Sequence, residues 1–172
     1  MKKCKLAGMF AAALVIVFCT SVMALDMGQS APSFSLKDQF GKLWDLSKLN
    51  GTVTVVVAAN KDSGREMGPW IENLDSKYGS KIQLLGLMDL HSIPGIGRGI
   101  AKSRIRKETP QPLMLDFDGT VSKAYSVTSD SPVVVVIDGN SRVKAIQRDE
   151  YSKSALTSIA TAIDTALKSK AS

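Results

Sequence analysis

"VTVVVAANKDSGREMGPW", residues 53–70, decides the architecture. Residues 53–59 are apolar on both alternating sets, as in a central strand covered on its two faces. "NKDSG" then interrupts the run with turn-forming residues. After it, Met67, Trp70, Ile71, Leu74 and Tyr78 recur at helical spacing over 65–78. A buried strand, a short polar loop and an amphipathic helix in that order form the repeating unit of an α/β domain.

The same alternation extends in both directions. "SFSLKDQFGKLWDLSKL" (33–49) has two alternating segments, 34–37 and 42–46, around a glycine-containing turn, which predicts an opening β-hairpin. "IQLLGLM" (82–88) predicts a second buried strand, and "PGIGRGIAKSRIRKE" (94–108) a glycine-led basic helix. "PLMLD" (112–116) reads as a short strand and "TVSKAYSV" (120–127) as a short helix. "SPVVVVID" (131–138) and "RVKAIQR" (142–148) are strands joined by "GNS", and a last helix runs from Ser152 to about Lys168. Its Leu156, Ile159, Ile163 and Leu167 share one face. Strands alternating with helices, then a terminal hairpin, predict one α/β domain with a mixed sheet. No internal repeat, low-complexity tract or linker divides it.

The first 24 residues read differently. "MKKCK" is a basic start, Leu6 to about Thr20 is an apolar run, and Val22-Met23-Ala24 is a small-residue cleavage pattern. Together they predict a signal peptide cut after Ala24, leaving 25–172 in the periplasm or outside the cell. The apolar run is short for a membrane anchor, and Phe18 is too bulky to precede a lipidated Cys19. Cys4 and Cys19 are the only cysteines of the 172 residues, so the chain from Leu25 onward has no thiol. Its formal charge falls from +6 to +3, with 19 Lys and Arg against 16 Asp and Glu. That mild excess does not by itself call for a nucleic-acid partner.

Two long stretches carry a family resemblance. "APSFSLKDQFGKLWDLSKLNG" (31–51) resembles the opening of AhpC/TSA and TlpA-type redoxins. "PLMLDFDGTVSKAYSVTSDSPVVVVIDGNSRV" (112–143) resembles their second half. The ordered set implies a thioredoxin-like fold over 31–168. The signal peptide, the "IPGxG" segment and the "VVVxD" strand are similar to the small periplasmic YtfJ-type family, for which no enzymatic activity is established.

The resemblance implies where a reactive thiol would sit. Counting from Gly51 places Ser63 on the first cysteine, and counting back from Glu66 places Asn60 and Ser63 on the two cysteines of a C-x-x-C motif. Thiol–disulfide exchange and peroxide reduction both require a thiolate, and a serine hydroxyl cannot replace it. Met67 could be oxidised to a sulfoxide, which without a reductase is damage rather than turnover. Ser63-Gly64-Arg65-Glu66 has instead the spacing of a capping box, with Ser63 capping the helix and Glu66 reaching back to the Ser63 N–H. A serine nucleophile would need His91, the sole histidine, as its base, and no G-x-S-x-G turn surrounds Ser63.

Pro132 matches the proline that is cis in thioredoxin-like proteins and faces the thiol site. The resemblance thus implies a cleft lined by Asn60, Lys61, Asp62, Ser63, Arg65, Glu66, Ser131 and Pro132. Such a cleft can hold an extended peptide through backbone hydrogen bonds, or Pro132 can simply shape the core. "SIPGIGRGIAKSRI" (92–105) resembles the hairpin of a helix-hairpin-helix DNA-binding motif. However, the segment before it reads as strand, the copy is single, and an exported chain meets no nucleic acid. An anion site at Gly95, Gly97, Arg98 and Lys102, or a basic face toward an acidic partner or lipid headgroups, stays open. Asp62, Asp89 and Asp116 match no metal loop, and "DFDGT" (116–120) reads as a turn and helix start. The sequence therefore favours an exported thioredoxin-fold protein that binds an unidentified envelope protein or peptide without redox catalysis. The alternative implied by the family resemblance is a thiol-disulfide oxidoreductase or peroxiredoxin-like antioxidant protein, and a third is an anion- or nucleic-acid-binding module through 94–107. It needs no cofactor and meets the membrane only during export.

Overall fold

The computed structural model describes residues 25–170; the expected signal peptide lies outside the described residues. A two-stranded antiparallel hairpin, β1 (Ser35–Lys37) and β2 (Leu43–Asp45), precedes the main sheet. The sheet strands are β3 (Thr54–Asn60), β4 (Gln83–Asp89), β5 (Leu113–Asp116), β6 (Val133–Ile137) and β7 (Val143–Gln147). The helices are α1 (Met67–Tyr78), α2 (Arg98–Glu108), α3 (Thr120–Ala124) and α4 (Lys153–Lys170). The spatial strand order is β5-β4-β3-β6-β7. β3 pairs parallel with β4 and β4 with β5, while β6 runs antiparallel to β3 and β7 antiparallel to β6. This is the thioredoxin-like α/β arrangement, with the mixed sheet and opening hairpin that the sequence predicts.

β3 is central because both of its faces are apolar. Val55, Val57 and Ala59 face one core, with Trp70, Leu74 and Tyr78 of α1 and Ile159 and Ile163 of α4. Val56 and Ala58 face the other, with Phe34, Trp44, Leu46 and Tyr125. One side is thus covered by helices and the other largely by the N-terminal segment and the hairpin. The described core side chains pack against one another on both faces of the sheet. On β4, Gly86 faces the first core. A Cβ there would lie 2.5 Å from a Leu113 methyl and 3.3 Å from the Met67 terminal methyl, so a side chain would fit only if these two moved.

Two buried polar residues attach the hairpin to the sheet. Asp38 accepts from the Trp44 indole N–H and from the backbone N–H groups of Phe40 and Lys42, each at 2.9 Å. Gln39 is fully buried, which its place in a polar turn gave no reason to expect. Its amide donates to the Thr109 carbonyl at 2.9 Å and the Gln111 carbonyl at 2.7 Å, and it accepts the Leu113 N–H at 2.8 Å. One side chain thereby fixes the α2–β5 connection. A buried amide satisfied at three points specifies position as well as energy.

The parallel strands end alike. Asn60, Asp89 and Asp116 close β3, β4 and β5 and stand side by side in register. Each turns its side-chain oxygen back onto the following turn. Asp116, which is buried, accepts from Gly119 N–H at 3.0 Å, Ser122 N–H at 2.7 Å and Ser122 Oγ at 2.8 Å, and so caps α3. "DFDGT" is therefore the turn and helix start its sequence suggests. Asp116→Ala would leave these donors buried and unpaired at a cost of about 3 kcal/mol. Asp116→Asn, which keeps one acceptor, should cost less; urea unfolding of both variants compares them.

Two buried tyrosines make stability depend on alkaline pH. Burial pushes the Tyr125 hydroxyl above its ordinary value, and it donates to the Pro32 carbonyl at 2.9 Å. Burial, followed by neighbouring Asp164, does the same to Tyr78, whose hydroxyl donates to the Ala160 carbonyl at 3.0 Å. In the unfolded chain both ionise near the ordinary 10.0, whereas the folded forms hold their protons to higher pH. The unfolded state is then favoured as pH rises above that value. Urea unfolding should give constant stability from these groups below pH 10 and a decline above it. Tyr125→Phe should be less stable at neutral pH but decline less steeply.

Candidate functional site

The loop after β3 occupies the position where the resemblance puts a thiol. Asn60 Oδ1 accepts from Asp62 N–H at 2.8 Å, Ser63 N–H at 3.0 Å and the Ser63 hydroxyl at 3.2 Å. Ser63 Oγ in turn accepts the Asn60 N–H at 3.4 Å. The turn is thus closed by its own first residue, as asparagine can do without help from the helix. Ser63 is 1% exposed, while Lys61, Asp62 and Arg65 project into solvent.

The expected capping box does not form. Ser63 makes no side-chain hydrogen bond to the helix start. A single 3-10 turn, Gly64–Glu66, leads into α1, and the Glu66 N–H donates to the Ser63 carbonyl at 3.1 Å. The physical reason is competition: Asn60 already holds the Ser63 hydroxyl, and the tighter turn satisfies the Glu66 N–H through the backbone. Glu66 does not reach the Ser63 N–H, which Asn60 has taken. Its Oε2 is buried without a protein partner, as is the Trp70 indole N–H one turn further on. The Trp70 ring meets Tyr151 edge-on at 5.4 Å.

Ser131 and Pro132 lie on the other side of this loop. β6 pairs with β3 so that Val133 faces Ala58. Continuing that register sets Pro132 beside Ala59 and Ser131 beside Asn60. Pro132 is buried, and the Ser131 hydroxyl donates to the Arg148 carbonyl. The resemblance implies a cis bond before Pro132, and this is corrected: all described peptide bonds are trans. A trans bond suits a proline that begins a strand with its missing N–H outside the ladder. Outside the regular ladders, residues 128–132 make no backbone-to-backbone hydrogen bond.

On the α2 side of the same loop lies a groove of about 370 Å³, lined among others by Gly64, Arg65, Met67, Ile71, Met88 and Leu113. A Cβ on Gly64 would sit 2.9 Å from the Met88 terminal methyl, so glycine lets the loop lie against Met88. Sequence reading did not include Met88 or the 109–113 segment in the cleft. Neither left a signal in the sequence: Met88 comes from the neighbouring strand, and Gln39 holds the 109–113 segment from far away in the chain.

The remaining candidates do not converge on Ser63. His91 Nδ1 lies 2.8 Å from Asp89 Oδ1, and the His91 N–H donates to the same oxygen at 3.0 Å. The ring is exposed and lines a separate depression with Asp118, Gly119 and Lys123. It packs over Gly119, where a Cβ would approach His91 Cβ to 3.0 Å, and it makes no hydrogen bond to Ser63. Arg98 donates to the Phe117 carbonyl at 3.1 Å and stands 3.5 Å from Asp118, so it is turned away from the Gly95–Gly97 turn. Lys102 is half-buried toward the hairpin glycine, Gly41. The segment preceding 92–105 is strand β4, so no helix-hairpin-helix is built. Among the described residues, no three His, Cys, Asp or Glu side chains group as a metal site.

Comparison with known proteins agrees with this geometry. No protein of curated function matches the chain. Among solved structures, a candidate thiol:disulfide interchange protein DsbE from Chlorobium tepidum superposes with a TM-score of 0.66 at 22% identity, over 84% of this chain and 99% of that one. A candidate protein disulfide isomerase from Bacteroides thetaiotaomicron gives 0.63 at 24% identity, over 85% and 95%. The exposed lipoprotein thioredoxin Etrx1 of Streptococcus pneumoniae gives 0.61 at 17%, over 78% and 99%. These likenesses show the fold. The AhpC/TSA family profile matches residues 27–146, which takes in the hairpin, the Asn60–Ser63 loop and all of the sheet but its last residue, and the chain therefore belongs to the AhpC/TSA family.

Proposed function

We propose that this chain is an exported, thiol-free member of its family, of the YtfJ type, that binds an extended peptide or protein segment and does not catalyse redox chemistry. The carrying observation is the closed Asn60–Ser63 turn. The hydroxyl at the thiol position is buried and donates to Asn60, so it is neither free nor activated. Redox turnover would require a thiolate, and the sequence has none from Leu25 onward. The basic start, apolar run and Val22-Met23-Ala24 pattern support export.

The peptide would lie along Ser131–Pro132, where the loop backbone is free of backbone partners, and across residues 60–66. Strand-like docking of this kind draws affinity from main-chain hydrogen bonds and selectivity from neighbouring side chains. Lys61, Asp62 and Arg65 are exposed at its edge, and the Met67–Met88 groove adjoins it. Methionine-lined surfaces repack around varied apolar side chains, so this cleft favours apolar residues beside an extended backbone.

The test is selection of peptides from a random library against residues 25–172, followed by amide NMR mapping. Shifts should cluster at 60–66 and 131–133. Failure to select any peptide, or shifts centred elsewhere, would contradict the proposal. Ser63→Ala should lower stability by about 1 kcal/mol and leave the affinity of the selected peptides within twofold. A large loss of affinity without unfolding would give the hydroxyl a direct role.

A further inference from the structure

Among the described residues, the exposed large apolar side chains are Met27, Phe40, Leu43, Ile96 and Ile100. All but Met27 lie on the start of α2 or on the hairpin whose tip meets it, where the Arg106 guanidinium stands 5.7 Å from the Phe40 ring centre. Ile96 is 95% and Ile100 75% exposed. Ile100, Ser103, Arg104 and Lys107 share the outward face of α2, while Ile105 packs against the core. Residues facing solvent in a helix with a single inward stripe are normally polar. Here one side of the protein presents two bare isoleucines followed by cations.

Charge is concentrated in the same place. Segment 94–108 holds five cations and one anion, whereas the rest of 25–172 carries 14 cations against 15 anions. The net positive charge of the folded chain therefore resides on this helix. Its ion pairs are Arg98 with Asp118 at 3.5 Å and Arg104 with its helix neighbour Glu108 at 2.9 Å. Among the described residues, Lys102, Arg106 and Lys107 have no carboxylate within 4.0 Å.

We propose that the outward face of α2 is an attachment surface for a phospholipid bilayer with anionic headgroups. Ile96 and Ile100 enter the interface, while Arg104 and Lys107 meet headgroup phosphates. The combination of apolar anchors and cations on one helix and its leading turn is what interfacial binding draws on, and its strength follows buried apolar area together with electrostatic attraction. The excess of cations on this segment complements a surface of uniform negative sign, which a bilayer with anionic headgroups supplies. The Asn60–Ser63 loop is built separately, and this attachment does not rest on the peptide-binding reading. It extends the expectation that membrane contact ends with export.

Residues 25–172 would be sedimented with vesicles of phosphatidylglycerol and phosphatidylcholine in equal parts, and with phosphatidylcholine alone. Binding is expected only to the anionic vesicles, weakening as salt screens the contact. Ile96→Ser/Ile100→Ser should reduce it about tenfold, and Arg104→Glu/Lys107→Glu should abolish it. Unchanged thermal midpoints would show that both variants remain folded, as expected for exposed positions. No binding to anionic vesicles overturns the proposal, as does equal binding to phosphatidylcholine alone. Undiminished binding by the isoleucine variant also overturns it, including the case in which both forms bind a soluble polyanion equally.

Discussion

The oxygen of Asn60 sets the character of this protein. It binds the next two loop N–H groups and the Ser63 hydroxyl at once, and so closes the turn that in a redox enzyme must leave a thiolate open. A reactive cysteine at a helix start depends on free N–H groups and partial exposure to lower its pKa. At this loop, Ser63 is buried and its N–H and hydroxyl are occupied. On the proposed reading, the loop keeps the place that the resemblance gives a thiol and lacks a thiol's chemistry.

The same device recurs along the C-terminal edge of the sheet. Asp89 captures the His91 N–H, and Asp116 captures Gly119 and Ser122. With Asn60 they form a row across three neighbouring strands. In open α/β sheets this edge is where ligands bind, and here its side-chain oxygens are engaged in turn formation. The surfaces we propose for recognition are the Ser131–Pro132 backbone on one side, the Met67–Met88 groove on the other, and the outer face of α2.

Much of the fold was legible in the sequence. The double-sided apolar run of β3, the helical spacing of Trp70, Leu74 and Tyr78, and the turn before β7 are each local patterns that tertiary contacts reinforce. The site was legible only in part. Asn60 and Ser63 were singled out by counting along the family resemblance, but S-x-x-E suggested a capping box because short-range pattern says nothing about which of two nearby acceptors wins. The trans bond before Pro132 likewise departed from an expectation carried only by resemblance. Gln39 and Met88 could not be foreseen, since Gln39 bonds residues more than 70 positions away and Met88 reaches the loop from a neighbouring strand.

The most direct measurement is insulin reduction by residues 25–172 with dithiothreitol as the electron source. If the Asn60–Ser63 turn is structural, the rate will match a protein-free control at every protein concentration. A rate that rises with protein concentration would contradict the account.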